Sequence, residues 1–142
     1  MPAKIAILYP SIVMALMTLC VILALGARRL AAVRARQVHP KYYVTFSGEN
    51  PEPQSLKQHS RHVNNHFEVP PLFHIAAWGT YLVGEVTTTA VALAWFFVAS
   101  RAIHSLIHLT YNTVIHRFFV YGLGVIATLV LWIHLAMSLG HA

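Results

Sequence analysis

The stretch that decides the fold is VTTTAVALAWFFVASRAIHSLIHL, residues 86–109. It is long and apolar enough for a helix that crosses a bilayer, yet it carries Arg101, His104, Ser105 and His108. At 100° per residue these four fall on one helical stripe. An ionised side chain in hydrocarbon costs about 3 kcal/mol even on insertion scales, so such a stripe faces a bundle interior or a wet cavity. A second polar stripe precedes it. Arg61, Asn64, Asn65 and Glu68 recur at i, i+3, i+4 and i+7, ahead of another apolar run. Two polar faces converging in a membrane bundle point to a buried site for a polar, anionic ligand.

Composition agrees with a membrane protein. Of 142 residues, 57% are hydrophobic and only 10% are charged. A soluble domain of this size carries about 25% Asp, Glu, Lys and Arg. Ile5 to Gly26 holds no charge and spans roughly 33 Å as a helix. It exceeds the apolar region of a signal peptide, and Arg28 and Arg29 follow it rather than precede it, so it reads as a first spanning helix.

The apolar stretch from Pro71 to Leu109 is too long for one crossing. Gly84, Glu85 and the run Thr87, Thr88 and Thr89 divide it as a membrane-exit turn. The expected fold class is therefore all-α: a bundle of four transmembrane helices at about 5–26, 60–83, 86–110 and 117–139, forming a single domain over 1–142. A loop over about 28–59 joins the first two. Its part from Val38 to Gln58, with Pro40, Gly48, Pro51 and Pro53, reads as a turn-rich connection closing over a site. Pro70 and Pro71 predict a bend or a membrane-entry break just past the polar cluster.

Lys and Arg set the orientation. Arg28, Arg29, Arg34, Arg36, Lys41, Lys57 and Arg61 crowd around the first loop, whereas the amino terminus offers Lys4 alone. The first loop is expected on the cytoplasmic side and both termini on the other. The net charge of +6 is then mainly a topology signal, with anionic lipid head groups as partners. Basic residues confined to membrane boundaries argue against nucleic-acid binding. Cys20, the only cysteine, excludes an intrachain disulfide and reads as a small apolar residue.

Each polar group has a functional reading and a plainer one. Arg61 offers a planar fork for a carboxylate, Asn65 both donates and accepts, and Glu68 accepts from an ammonium. The plainer reading is a solvated helix start. Arg101, His104 and His108 line a ligand-facing stripe or act as interhelical glue. His104 and His108 at i, i+4 also suit a metal or haem, and His62 and His66 repeat the spacing, although acidic ligands are few and arginines repel cations. Arg117 and Tyr121 open the last helix one turn apart, where an arginine stabilises an anion such as a thiolate or snorkels to the interface. His134, alone on that helix, reads as a packing contact.

In this order, Arg-x-x-Asn-Asn-x-x-Glu at 61–68, Arg-x-x-His at 101–104 and Arg-x-x-x-Tyr at 117–121, behind a long basic first loop, resemble the MAPEG family of membrane-associated proteins in eicosanoid and glutathione metabolism. The likeness covers nearly the whole chain and is greatest for the bacterial branch. It implies a homotrimer, with glutathione between neighbouring subunits near the cytoplasmic side. By motif position Arg61, Asn65 and Glu68 would hold the tripeptide, Arg101 and His104 would line the same cleft, and Arg117 and Tyr121 would reach it from the last span. An arginine closing the first span, Arg28 or Arg29, is a further candidate. Three positions depart from the prostaglandin E synthases of the family: Asn64 replaces an arginine, His108 a tyrosine, and Phe118 a serine.

The expectation is a glutathione-dependent transferase or peroxidase of a bacterial inner membrane. Arg117 is its catalytic residue, glutathione the co-substrate and a small lipophilic electrophile the second substrate. The alternatives are a non-enzymatic membrane protein of the same fold that binds lipid or a partner, and a metal or haem protein.

Overall fold

The computed structural model describes residues 3–48 and 51–140. Among them all regular structure is helical: α1 (Leu8–Arg34), α2 (Tyr42–Thr45), α3 (Gln54–Asn65), α4 (Pro70–Val83), α5 (Thr88–Leu109) and α6 (Val114–Leu139), with a 3-10 turn at Lys4–Ile7 before α1. Three stretches are long and apolar enough to cross a membrane: Lys4–Arg34, Thr88–Leu109 and Val114–Leu139.

The first helix outruns its apolar segment. At 27 residues α1 is roughly 40 Å long, so its last turns leave a hydrocarbon core of about 30 Å. Arg28 and Arg29 are helical, not loop residues as expected. Ala27, Ala31 and Ala32, with Leu30 between, are strong helix formers and carry the helix on to Arg34. The connection to α3 is correspondingly shorter. It runs from Ala35 to Pro53, with residues 49 and 50 outside the described ones.

The second expected span is two helices. α3 starts at Gln54 and ends at Asn65, and α4 starts at Pro70. Pro70 occupies the first position of α4, where its missing N–H leaves no ladder bond unmade. The break places Glu68 between the helices, whereas Arg61 and Asn65 remain on α3. Elsewhere the boundaries lie within three residues of the expected ones.

The turns are built as their residues dictate. Gly84, at φ +92°, ends α4 in the left-handed region with its N–H on the Thr80 carbonyl at 3.2 Å. Thr87 caps α5 by accepting from the Ala90 N–H at 3.1 Å. His134 donates from Nε2 to the Glu85 carbonyl at 3.0 Å, and Lys4 lies over the Tyr81 ring. The amino-terminal turn, the 84–87 turn and the end of α6 therefore share one end of the molecule. The opposite end holds the 35–53 connection and the α5–α6 turn, where Asn112 takes φ +50°, and the α3–α4 break lies between the ends, with His66 bonded to Thr18 of α1.

α5 packs most extensively on α6, α4 lies on α6, and α1 packs against α3, α4 and α5. Ala76 and Ala77 of α4, Ala90 and Ala94 of α5 and Ala127 of α6 are buried, and such small residues bring helix backbones close. Phe73 and Phe97 fill the centre, their rings stacked at 4.2 Å. The outer surface carries Leu16, Leu23, Leu82, Leu106, Leu129 and Ile133, each at least half exposed, as lipid-facing helices do. A smaller cluster of Leu25, Ala32, Val38 and Leu56 fixes the 35–53 connection against α1 and α3.

Candidate functional site

Beside the α3–α4 break, a cavity of about 380 Å³ opens between α3, α5 and α6. Arg61, Asn65, Glu68, His104, His108, Arg117 and Tyr121 line it, together with Asn64, Val114 and Phe118. Three stretches separate in sequence thus meet in one space: the 61–68 stripe, the far end of α5 and the first two turns of α6.

Hydrogen bonds order the wall. Tyr121 donates to Glu68 Oε2 at 2.7 Å. His104 donates from Nδ1 to the Arg117 carbonyl at 3.3 Å, so its Nε2 carries the lone pair, and the Asn65 amide donates to that nitrogen at 3.3 Å. Arg117 Nη1 donates to His108 Nε2 at 3.2 Å and to Asn112 Oδ1 at 3.0 Å. Gln58 of α3 donates to the His108 carbonyl, fastening the end of α5. The cavity thus carries two guanidinium groups against one carboxylate, a balance suited to an anionic ligand with a minor cationic part.

Arg101 is placed differently. It does not line the cavity but lies behind Tyr121, 2% exposed, with its guanidinium 4.5 Å from the centre of that ring. Nη2 donates to the Tyr121 carbonyl at 2.9 Å, whereas Nε and Nη1 are buried with no partner among the described residues. Gly124 makes the room: a Cβ there would stand 2.6 Å from Arg101 Nη2 and 2.7 Å from Ser100 Oγ. The charge therefore acts on the cavity from underneath.

A family model, that of the MAPEG family, matches residues 7–137. The chain belongs to the MAPEG family. With its three long apolar helices it is an integral membrane protein. Neither a curated protein nor a solved structure matches it significantly.

In this MAPEG chain the two arginines near the end of α1 lie outside the cavity. Arg28 reaches His59 Nδ1 at 3.2 Å. Arg29 pairs with Glu52 at 2.8 Å, donates to Ser60 Oγ at 2.9 Å and lies over the rings of Tyr43 and Phe46. This clasp ties the 35–53 connection to α1 and α3. Its neighbour Tyr43 has a phenol pKa raised above 10.0, first by burial of the hydroxyl and then by the Glu52 charge. Arg29 and Glu52 line an adjoining cavity of about 530 Å³, which shares Arg61 and Asn64 with the first.

Reading the sequence for charge in apolar helices missed Val114, because an apolar residue in a membrane helix carries no signal, and noted Phe118 only as a departure from the family's serine, not as part of an apolar lip. Spacing paired His62 with His66 as a second candidate metal or haem pair, whereas the structure sets His62 beside His104 and His108. The His62 ring centre lies 5.9 Å from that of His104 and 5.1 Å from that of His108.

Proposed function

We propose that the cavity binds a thiol tripeptide of the glutathione type and that the chain is a membrane transferase or peroxidase acting on lipophilic electrophiles. One observation carries the reading: Arg61, Glu68 and Arg117 line the same cavity as the exposed apolar side chains Val114 and Phe118. Glutathione brings two carboxylates for the arginines and one ammonium for Glu68. Its thiol at Arg117 is drawn towards the thiolate by the guanidinium charge. In conjugation the sulfur lone pair forms the S–C bond, the leaving group departs with its electron pair, and the thiol proton goes to solvent.

In this reading α3 and α4 together make a fourth, broken crossing, three chains form the homotrimer, and tripeptide sites lie between subunits. The first connection faces the cytoplasm and both termini the other side, as the loop arginines suggest.

A second reading, a binder of lipid or a partner without chemistry, is favoured by one observation. Arg117 Nη1 is already held by His108 and Asn112. Isothermal titration of the detergent-purified chain with glutathione, followed by thiolate absorbance, separates the two. The transferase reading expects binding with a thiolate band, and loss of the band in Arg117→Ala. Affinity without conjugation of any model electrophile favours the second reading, and no binding at all overturns the first.

A further inference from the structure

Four histidines, His62 of α3, His66 just past its end and His104 and His108 of α5, form a layer beside the cavity, and only two of them line it. His62, His104 and His108 are each at most 3% exposed, and one nitrogen from each ring lies within 4.8 Å of those of the other two. His66 packs edge-on against His62 at 4.9 Å between ring centres.

The hydrogen bonds around this layer have a fixed direction. Thr18 donates its hydroxyl hydrogen to the Met14 carbonyl at 3.0 Å, so Thr18 Oγ1 accepts from His66 Nδ1 at 2.9 Å. His66 is then protonated at Nδ1, and its Nε2 accepts from His62 Nε2 at 3.3 Å. The only proton of a neutral His62 is thereby used. Its Nδ1 is left as a bare lone pair, buried and without a partner. A buried acceptor with nothing to accept from is costly, by about 1–3 kcal/mol, and calls for an occupant.

His104 points the same way. Its Nδ1–H rests on the Arg117 carbonyl, the arrangement that orients metal-bound imidazoles, and its lone pair is on Nε2, where an entering ion displaces the Asn65 amide that donates there at 3.3 Å. His108 Nε2 accepts from Arg117 Nη1, which has a second acceptor in Asn112 Oδ1. When Arg117 keeps only the second, the His108 lone pair is released.

We propose that His62, His104 and His108 form a three-imidazole site for a divalent first-row transition ion of the zinc class, open at its fourth position to the cavity. Imidazole is a preferred ligand for such ions, and three protein ligands with one open position is the catalytic zinc pattern. Zn–N bonds of about 2.0–2.1 Å in a tetrahedron put nitrogens roughly 3.4 Å apart, so the rings swing inward as the ion enters. Three neutral ligands leave the ion's charge uncompensated, and the fourth position takes an anion, hydroxide or a thiolate. Arg61 and Arg117 favour an anion in the same cavity, which offsets their repulsion of the ion. His66 and Thr18 are positioning residues that hold His62 in the ligating tautomer. The proposal does not rest on the thiol reading.

The test uses the full chain in detergent, stripped with a chelator and dialysed against zinc, then against cobalt as a spectroscopic probe. One zinc per chain and the intense visible bands of four-coordinate cobalt are expected. His62→Asn, which does not line the cavity, lowers zinc affinity at least tenfold while glutathione titration is unchanged, so the two readings fail separately. Thr18→Val, far from any ligand atom, lowers zinc affinity about tenfold, as loss of an outer partner does. Zinc binding unaffected by both substitutions, the weak spectrum of six-coordinate cobalt, or no retained metal would overturn the site. The first of these would mean capture by exposed histidines such as His39 and His116.

Discussion

The phenol of Tyr121 donates a 2.7 Å hydrogen bond to Oε2 of Glu68, a residue 53 positions upstream. That bond joins the second turn of α6 to the break between α3 and α4, between two residues that line the same cavity. The same ring covers the buried guanidinium of Arg101. One side chain thus holds a carboxylate at its tip and a cation at its face.

Tyr121→Phe separates the two roles. The ring stays over Arg101, but the bond to Glu68 is lost, at about 1 kcal/mol. Glutathione affinity should fall severalfold with a drop of a few degrees in melting temperature. Tyr121→Ala should unfold the chain much earlier, because Arg101 loses its cover. Equal effects of the two in thermal unfolding would refute this division.

Gly124→Ala should be disruptive although it adds one methyl group. The new Cβ would stand 3.1 Å from Arg101 Cζ and closer still to Nη2 and Ser100 Oγ, in a region with no free space. A destabilisation of about 1–3 kcal/mol is expected, as for overpacked cores. Gly122→Ala, where no atom lies within 4 Å, is the control and should not lose stability, gaining up to about 1 kcal/mol from helix propensity.

Arg29→Ala should open the connection over 35–53. It removes the partner of Glu52, whose side chain is only 3% exposed, and leaves that carboxylate buried and unpaired. Because Arg29 itself is partly exposed, the loss should be about 1–2 kcal/mol rather than that of a fully buried pair. Limited proteolysis reads it directly: cleavage between Ala35 and Pro53 should rise, with the membrane helices still protected.

Alkaline pH should release the same connection. The folded pKa of Tyr43 is raised above its ordinary 10.0, so its contribution is complete below that pH. It is lost as pH rises through the folded value, because the unfolded phenol ionises first and favours unfolding. Proteolysis of the connection should therefore accelerate above about pH 10, and Tyr43→Phe should remove that component. A Tyr43→Phe profile identical to the parent would exclude this residue as the cause.

Much of the site was legible because charge inside an apolar helix has few explanations. Arg61, Asn65, Glu68, His104, His108, Arg117 and Tyr121 were all placed in advance by spacing and motif, and the cavity brings them together. Periodicity gives the face of a helix but not depth, so it put Arg101 beside the cavity when a tyrosine separates them. Pro70 and Pro71 announced a bend, but that α3 stops at Asn65 depends on packing that a single sequence does not print. The end of α1 was drawn where hydropathy stops, at Gly26, whereas alanine-rich helix propensity carries it to Arg34. His62 stands out in the sequence only as half of a second i, i+4 histidine pair, and its part beside His104 and His108 is hidden for a subtler reason. Its bare nitrogen follows from a relay of donors beginning at Thr18, on a helix far away in sequence.

The lip formed by Val114 and Phe118, 65% and 71% exposed, has a kinetic consequence. In the transferase reading proposed above, an apolar molecule crossing it comes from the bilayer, so the concentration that matters is its mole fraction in lipid, not its molarity in buffer. A compound that partitions a thousandfold into the membrane reaches the mouth at a thousandfold excess, and the site needs little affinity of its own. Adding inert lipid or detergent at constant total substrate should then act as a diluent, raising the apparent KM in proportion while leaving kcat unchanged.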